Sequence, residues 1–169
     1  MLDASAQDTL GGTGTSSADI RTIADRMARA IAGIKIEGDQ KPQVNMLPIQ
    51  NSTRFRIDPG ILRNKLMAEL MKRTAGKWKF IARDSEQQVM QERDKKRAGL
   101  YDAGSTSKTL LGADYLLKGE MRALSKASRD GVSDYIVYSF QLINAEDAQI
   151  VWMDDYETKK QSAVGVMYQ

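Results

Sequence analysis

Three runs in the second half of the chain alternate apolar and polar side chains, with turn residues between them, and this pattern leaves few folds open. Residues 115–124 (YLLKGEMRAL) place Leu117, Gly119, Met121 and Ala123 on one face and Lys118, Glu120 and Arg122 on the other. Residues 135–144 put Ile136, Tyr138, Phe140 and Leu142 together, and in residues 150–159 Ile150 and Trp152 continue that apolar face. Ser128-Arg129-Asp130-Gly131 and Glu146-Asp147-Ala148 are turn signals between the runs. A period of two with short polar turns predicts two hairpins in succession, an antiparallel meander with one buried face.

The first half has a different rhythm. Ile20, Ile23, Met27 and Ile31 recur at helical spacing behind Ser16 and Ser17, which predicts an amphipathic helix loosened at Gly33. Residues 43–49 (QVNMLPI) read as a strand that is apolar on both faces, hence interior, and Pro48 ends its ladder. Residues 51–57 (NSTRFRI) read as a loop, and Asp58-Pro59 as a helix start, with an acceptor at the cap and a proline where no amide is needed. That helix would bury Leu62, Leu66, Met67, Leu70 and Met71 and end near Gly76. Residues 77–82 (KWKFIA) read as a second strand. Asp84-Ser85 would cap a further helix over residues 86–98, and residues 105–111 a short one closed by Gly112. Strand and helix alternate first and strands alone follow. We therefore expect one mixed α+β (α/β) domain: a sheet of about five strands with helices packed on it and an antiparallel C-terminal meander.

Composition narrows the function. Among 169 residues there is no His and no Cys. Triads built on His, thiolate nucleophiles, disulfides and Cys/His zinc sites are thereby excluded. That leaves carboxylate or Lys chemistry, a hard-metal oxygen site or no chemistry at all; of these we expect the last, with no catalytic residue, cofactor or metal. At 41% hydrophobic the chain can bury a core without staples, and its apolar runs are far shorter than the ~20 residues of a membrane helix. Residues 1–17 differ from the rest: eleven of seventeen are Gly, Ala, Ser or Thr. A segment of that kind predicts a flexible arm, either a frayed terminus or a tether, ahead of a globular body at 18–169. The body carries all 25 basic residues and 20 of the 22 acidic ones, a net +5.

Few residues invite a functional reading. Gly11-Gly12-Thr13-Gly14 has no preceding strand and no following Lys-Ser/Thr, so it is linker and not a phosphate loop. Glu146, Asp147, Asp154, Asp155 and Glu157 read as solvated edge charges that discourage aggregation. The basic run 93–97 lacks stacking aromatics, which argues against nucleic acid and leaves a solvated or protein-docking face. Arg54-Phe55-Arg56 is the sharper candidate, because a loop beyond the end of an interior strand is a usual place for recognition residues. Phe55 between two guanidiniums has the composition of an interface anchor; the alternative is that Phe55 folds under and caps the core.

Several segments in order carry a resemblance. They are the first strand leading into Gln50-Asn51-Ser52-Thr53, the helix before Gly76-Lys77-Trp78-Lys79-Phe80, the stretch Leu111-Gly112-Ala113-Asp114-Tyr115-Leu116-Leu117-Lys118-Gly119, and the hairpin from Phe140-Gln141-Leu142-Ile143-Asn144 to Ile150-Val151-Trp152. Across residues 43–158 the chain resembles the outer-membrane lipoprotein activators of class A penicillin-binding proteins, the LpoB-like family. The Gly-Ala-Asp-Tyr stretch and the Ile-Val-Trp hairpin also look like curli-secretion lipoproteins and Tol-type periplasmic domains, so an assembly or interaction domain of that kind is the alternative. The resemblance implies a non-catalytic periplasmic regulator, held at the outer membrane by a lipidated Cys that these residues do not include, and docking on a bifunctional peptidoglycan synthase to activate it. It supplies Asn51 and Thr53 as matched positions; loop position and residue type add Arg54, Phe55, Arg56 and, after the second strand, Arg83 as partner-binding candidates. We expect a monomer that binds no nucleic acid.

Overall fold

A computed structural model describes residues 12–36, 38, 40–102 and 109–163. Helix α1 (Ser17–Ala32) opens with a capping box: the Ser16 side chain accepts from the Asp19 amide and the Asp19 carboxylate accepts from the Ser16 amide. Of the stripe the spacing predicts, Ile23, Met27 and Ile31 are buried, with Ala24 and Ala28 beside them, and Ile20 is partly buried against the core. Strand β1 (Gln43–Met46) stops two residues before Pro48. A short strand, β2 (Gln50–Ser52), follows where the sequence reads as a loop. Asp58 caps α2 (Pro59–Thr74) through the Gly60 amide, with Pro59 at the first turn. The helix closes at Ala75 in the left-handed region, and Gly76 follows.

Strand β3 (Lys79–Ile81) leads through a 3-10 turn (Arg83–Ser85) into α3 (Glu86–Arg97). Neither Asp84 nor Ser85 makes the expected side-chain cap, because the tight turn itself directs the chain into the helix. Thr109–Leu111 are not helical, and the rest of the short helix expected at 105–111 falls outside the described residues.

The meander is β4 (Tyr115–Ser128), β5 (Gly131–Asn144) and β6 (Ile150–Ala163). The six strands form one mixed sheet in the order β3-β1-β4-β5-β6, with β2 also paired to β4. β1 and β2 are two pieces of one lane beside β4, both parallel to it, and Pro48 lies in the break between them. β1 is interior, between β3 and β4, as its apolar composition predicts.

The expected faces meet in register: Leu117 opposite Leu142, Gly119 opposite Phe140, Met121 opposite Tyr138 and Ala123 opposite Ile136. Gly119 is required there, since a Cβ would stand 2.8 Å from the Phe140 ring and 3.0 Å from Ile49. These side chains, the buried faces of α1 and α2, and Val44, Met46, Ile49 and Trp78 form one core. Two of the expected faces fail: Met71, expected to be buried by α2, is 58% exposed, and the start of β6 turns outward. Val151 is a bulge residue, so Trp152 faces Leu142 while Ile150 faces Ile143, and Ile150 is 52% exposed.

Candidate functional site

The boundary drawn by composition at residue 17 falls inside the folded body. Thr13 is buried, and the Thr15 hydroxyl lies 2.6 Å from that of the buried Tyr138. Lys160 Nζ donates to the Gly14 carbonyl at 2.9 Å and also reaches Asp19. Gly14 packs on the Phe55 ring, which a Cβ would meet at 3.2 Å. The root of the arm is thus seated on β5, β6 and the 53–57 loop; residues 1–11 lie outside the described residues.

Asn51 organises that loop from inside. Its Nδ2 donates to the carbonyls of Phe55 (2.9 Å) and Ile57 (3.3 Å), and its Oδ1 accepts from the amide (3.0 Å) and hydroxyl (2.6 Å) of Thr53. The Thr53 hydroxyl in turn accepts from the Phe55 amide at 3.2 Å. One side chain therefore fixes both ends of the loop, a job suited to an amide that donates and accepts at once.

Arg54 reaches outward from this frame and is caught. Its Nη2 and Nε donate to the two carboxylate oxygens of Asp134 at 2.6 and 3.2 Å, a bidentate pair. Nε also lies 3.1 Å from the Ser125 hydroxyl, Nη2 lies 3.4 Å from that of Thr13, and Ser125 donates to Asp134. The Asp134 side chain is fully buried, whereas Arg54 keeps half its side chain in water. The Arg54 bonds hold the Asp134 carboxyl at about 2, against burial, which would raise it, and Ser125 and Thr13 reinforce them. The Arg54 guanidinium lies 4.6 Å from the centre of the Phe55 ring, and Phe55 is partly buried against the core. Phe55 thus folds under, as the second of its two readings has it, while its neighbours stay outside.

Arg56 is exposed and makes no ion pair among the described residues. The loop therefore presents Arg56 and the outer half of Arg54 on a fixed frame. Arg83 is elsewhere: it donates to the Leu111 carbonyl (3.0 Å) and pairs with Glu86, beside a shallow cleft lined by Phe80, Val89, Leu110 and Leu111. Arg83 belongs to the β3 end of the sheet, and Arg54 to the far end of β4 and β5. From Leu116, opposite the β1 lane, to Ser125 is nine residues of strand, roughly 30 Å. The structure brings Asn51, Thr53, Arg54, Phe55 and Arg56 together and leaves Arg83 out.

Asp134, Ser125 and Thr13 are the members the sequence reading missed. Asp134 could have been found: it shares the parity of Ile136, Tyr138 and Phe140, so a carboxylate stands on an apolar face and must have a cation over it. Among the described residues no group of acidic side chains could hold a metal ion, and no helix is long and apolar enough to cross a membrane.

No curated protein matches the chain by sequence. Solved structures do match in fold. The LpoB C-terminal domain from Salmonella enterica, 13% identical, has a TM-score of 0.50 over 84% of this chain and 99% of that one. The LpoB C-terminal domain from Escherichia coli gives the same identity, score and coverage. The model of the family described as peptidoglycan-synthase activator LpoB matches residues 19–158. That span runs from the first turn of α1 to the middle of β6 and includes the whole 51–57 frame; the chain belongs to the LpoB family of peptidoglycan-synthase activators.

Proposed function

We propose that this domain docks on the periplasmic regulatory domain of a class A penicillin-binding protein and activates that bifunctional synthase allosterically, with no catalysis of its own. The observation that carries the reading is the family match over residues 19–158. Activation by docking requires the domain to prefer the active conformation of the synthase, and a body of net +5 favours encounter with an acidic partner surface. The contact surface is the 53–57 loop. Asn51 and Thr53 set its shape, Phe55 anchors it to the core, and Arg56 with the exposed half of Arg54 meets the partner. In the cell the domain would work in the periplasm, tethered to the outer membrane through a lipidated Cys upstream of the arm.

The pinned state of Arg54 determines how this is tested. Reversing Arg54 would strand Asp134 and damage the fold, so the informative variant is Arg56→Glu. Mixed with a purified class A synthase, the domain should bind it and raise the rate of peptidoglycan synthesis. Arg56→Glu should weaken binding roughly tenfold with an unchanged unfolding midpoint, the size expected for reversing one interface charge. Unaltered affinity would remove the loop from the interface; a synthase that neither binds nor responds would remove the reading itself.

A further inference from the structure

Against the monomer expected from the sequence, we propose that β6 pairs with the β6 of a second copy of this chain, joining two sheets across a two-fold axis. β6 is the outer strand, 14 residues long, and among the described residues nothing pairs with its free edge. An edge of that length templates further strands unless something blocks it. It contains no proline, and its bulge lies at one end, at Val151. α1 reaches β6 through Arg26 over the Tyr156 ring and Asp19 on Lys160, on the core face of the sheet, which leaves the backbone edge open.

The charges on this edge are sorted by sign. Asp154, Asp155 and Glu157 precede Lys159 and Lys160. In an antiparallel pair related by a two-fold axis, the acidic stretch of each copy runs beside the basic stretch of the other. Side chains directly opposite must share a face, so each register is centred on one residue facing itself. Centred on Thr158, Glu157 of each copy faces Lys159 of the other, Asp155 faces Gln161 and Tyr156 faces Lys160. Centred on Glu157 or on Lys159, a like-charge pair falls on the axis. Centred on Tyr156, Asp155 meets Glu157. Of these registers only the one at Thr158 sets opposite charges together twice without a like-charge pair. Asp155, Glu157 and Lys159 are exposed on the face away from the helices and make no ion pair among the described residues; Glu157 reaches the Tyr135 hydroxyl of its own chain. The charges that guard this edge against foreign strands are thus complementary to a second copy of themselves.

Sedimentation equilibrium of the whole chain, without synthase, tests this separately from the docking reading. The wild-type chain should dimerise, and the dimer should weaken as salt rises. Glu157→Lys alone and Lys159→Glu alone should each weaken association roughly tenfold or more, since each turns two symmetric attractions into repulsions. An equimolar mixture of the two variants should regain the dimer, because one then carries two cations and the other two anions at the facing positions; regain also shows that both variants fold. A wild-type chain that stays monomeric would overturn the proposal. So would a dimer that survives both reversals, or a mixture that fails to recover.

Discussion

Two basic segments, the loop at residues 53–57 and the end of α3 at Lys95, Lys96 and Arg97, look alike in composition and are held by different means. The loop is fixed by partners far away in the chain: Asp134 lies 80 residues from Arg54, Ser125 lies 71, and Thr13 lies 41. α3 buries no residue, and local ion pairs join Lys96 with Glu92, Arg97 with Asp94 and Glu86 with Arg83. Long-range, partly dry bonds make a rigid site, whereas exposed pairs at three- and four-residue spacing contribute little. A cationic segment becomes a candidate site through its anchoring more than through its charge.

The difference can be broken at its strongest point first. Arg54→Ala leaves the Asp134 carboxylate buried without its cation and should cost about 2–4 kcal/mol in urea unfolding, toward the low end if water follows the truncated side chain. Acid should act on the same bond. The Asp134 carboxyl sits at about 2, below its ordinary 3.8. The stability it contributes is therefore complete above about pH 4 and fades as pH falls through about 2, once the carboxylate is protonated. Unfolding followed by circular dichroism between these limits should show the loss in the wild-type chain and a shallower one in Arg54→Ala. Asn51→Ala removes the internal brace of the loop and should cost about 1–2 kcal/mol, with hydrogen exchange rising first at the loop amides. The smallest effect belongs to α3: replacing Lys95, Lys96 and Arg97 together by Gln should move stability by no more than about 0.5 kcal/mol. A larger cost there than at Arg54 would reverse the comparison.

Much of the frame was legible without coordinates because it is written in local periodicity. The stripe of α1, the Asp58-Pro59 start of α2 and the meander through Ser128–Gly131 each follow from spacing and turn chemistry within a few residues. Within the candidate site, Arg54, Phe55 and Arg56 stood out by type, but their division of labour did not. Phe55 goes under and Arg54 is tied down because of where β5 and the root of the arm lie, and no window around residue 55 contains that information.

By itself the sequence determined the strand-helix alternation of the first half, the antiparallel second half, the faces that meet in the core, and the exclusion of His and Cys chemistry. Tertiary structure alone decided four things: that residues 50–52 become a strand beside β4, that Ile150 turns outward at a bulge, that Thr13 to Ser16 join the body, and that Arg54 closes over Asp134. Each depends on which distant backbone happens to lie alongside. Periodicity encodes the face a residue turns toward the core, but the partner across that core is selected by the packing of the whole chain.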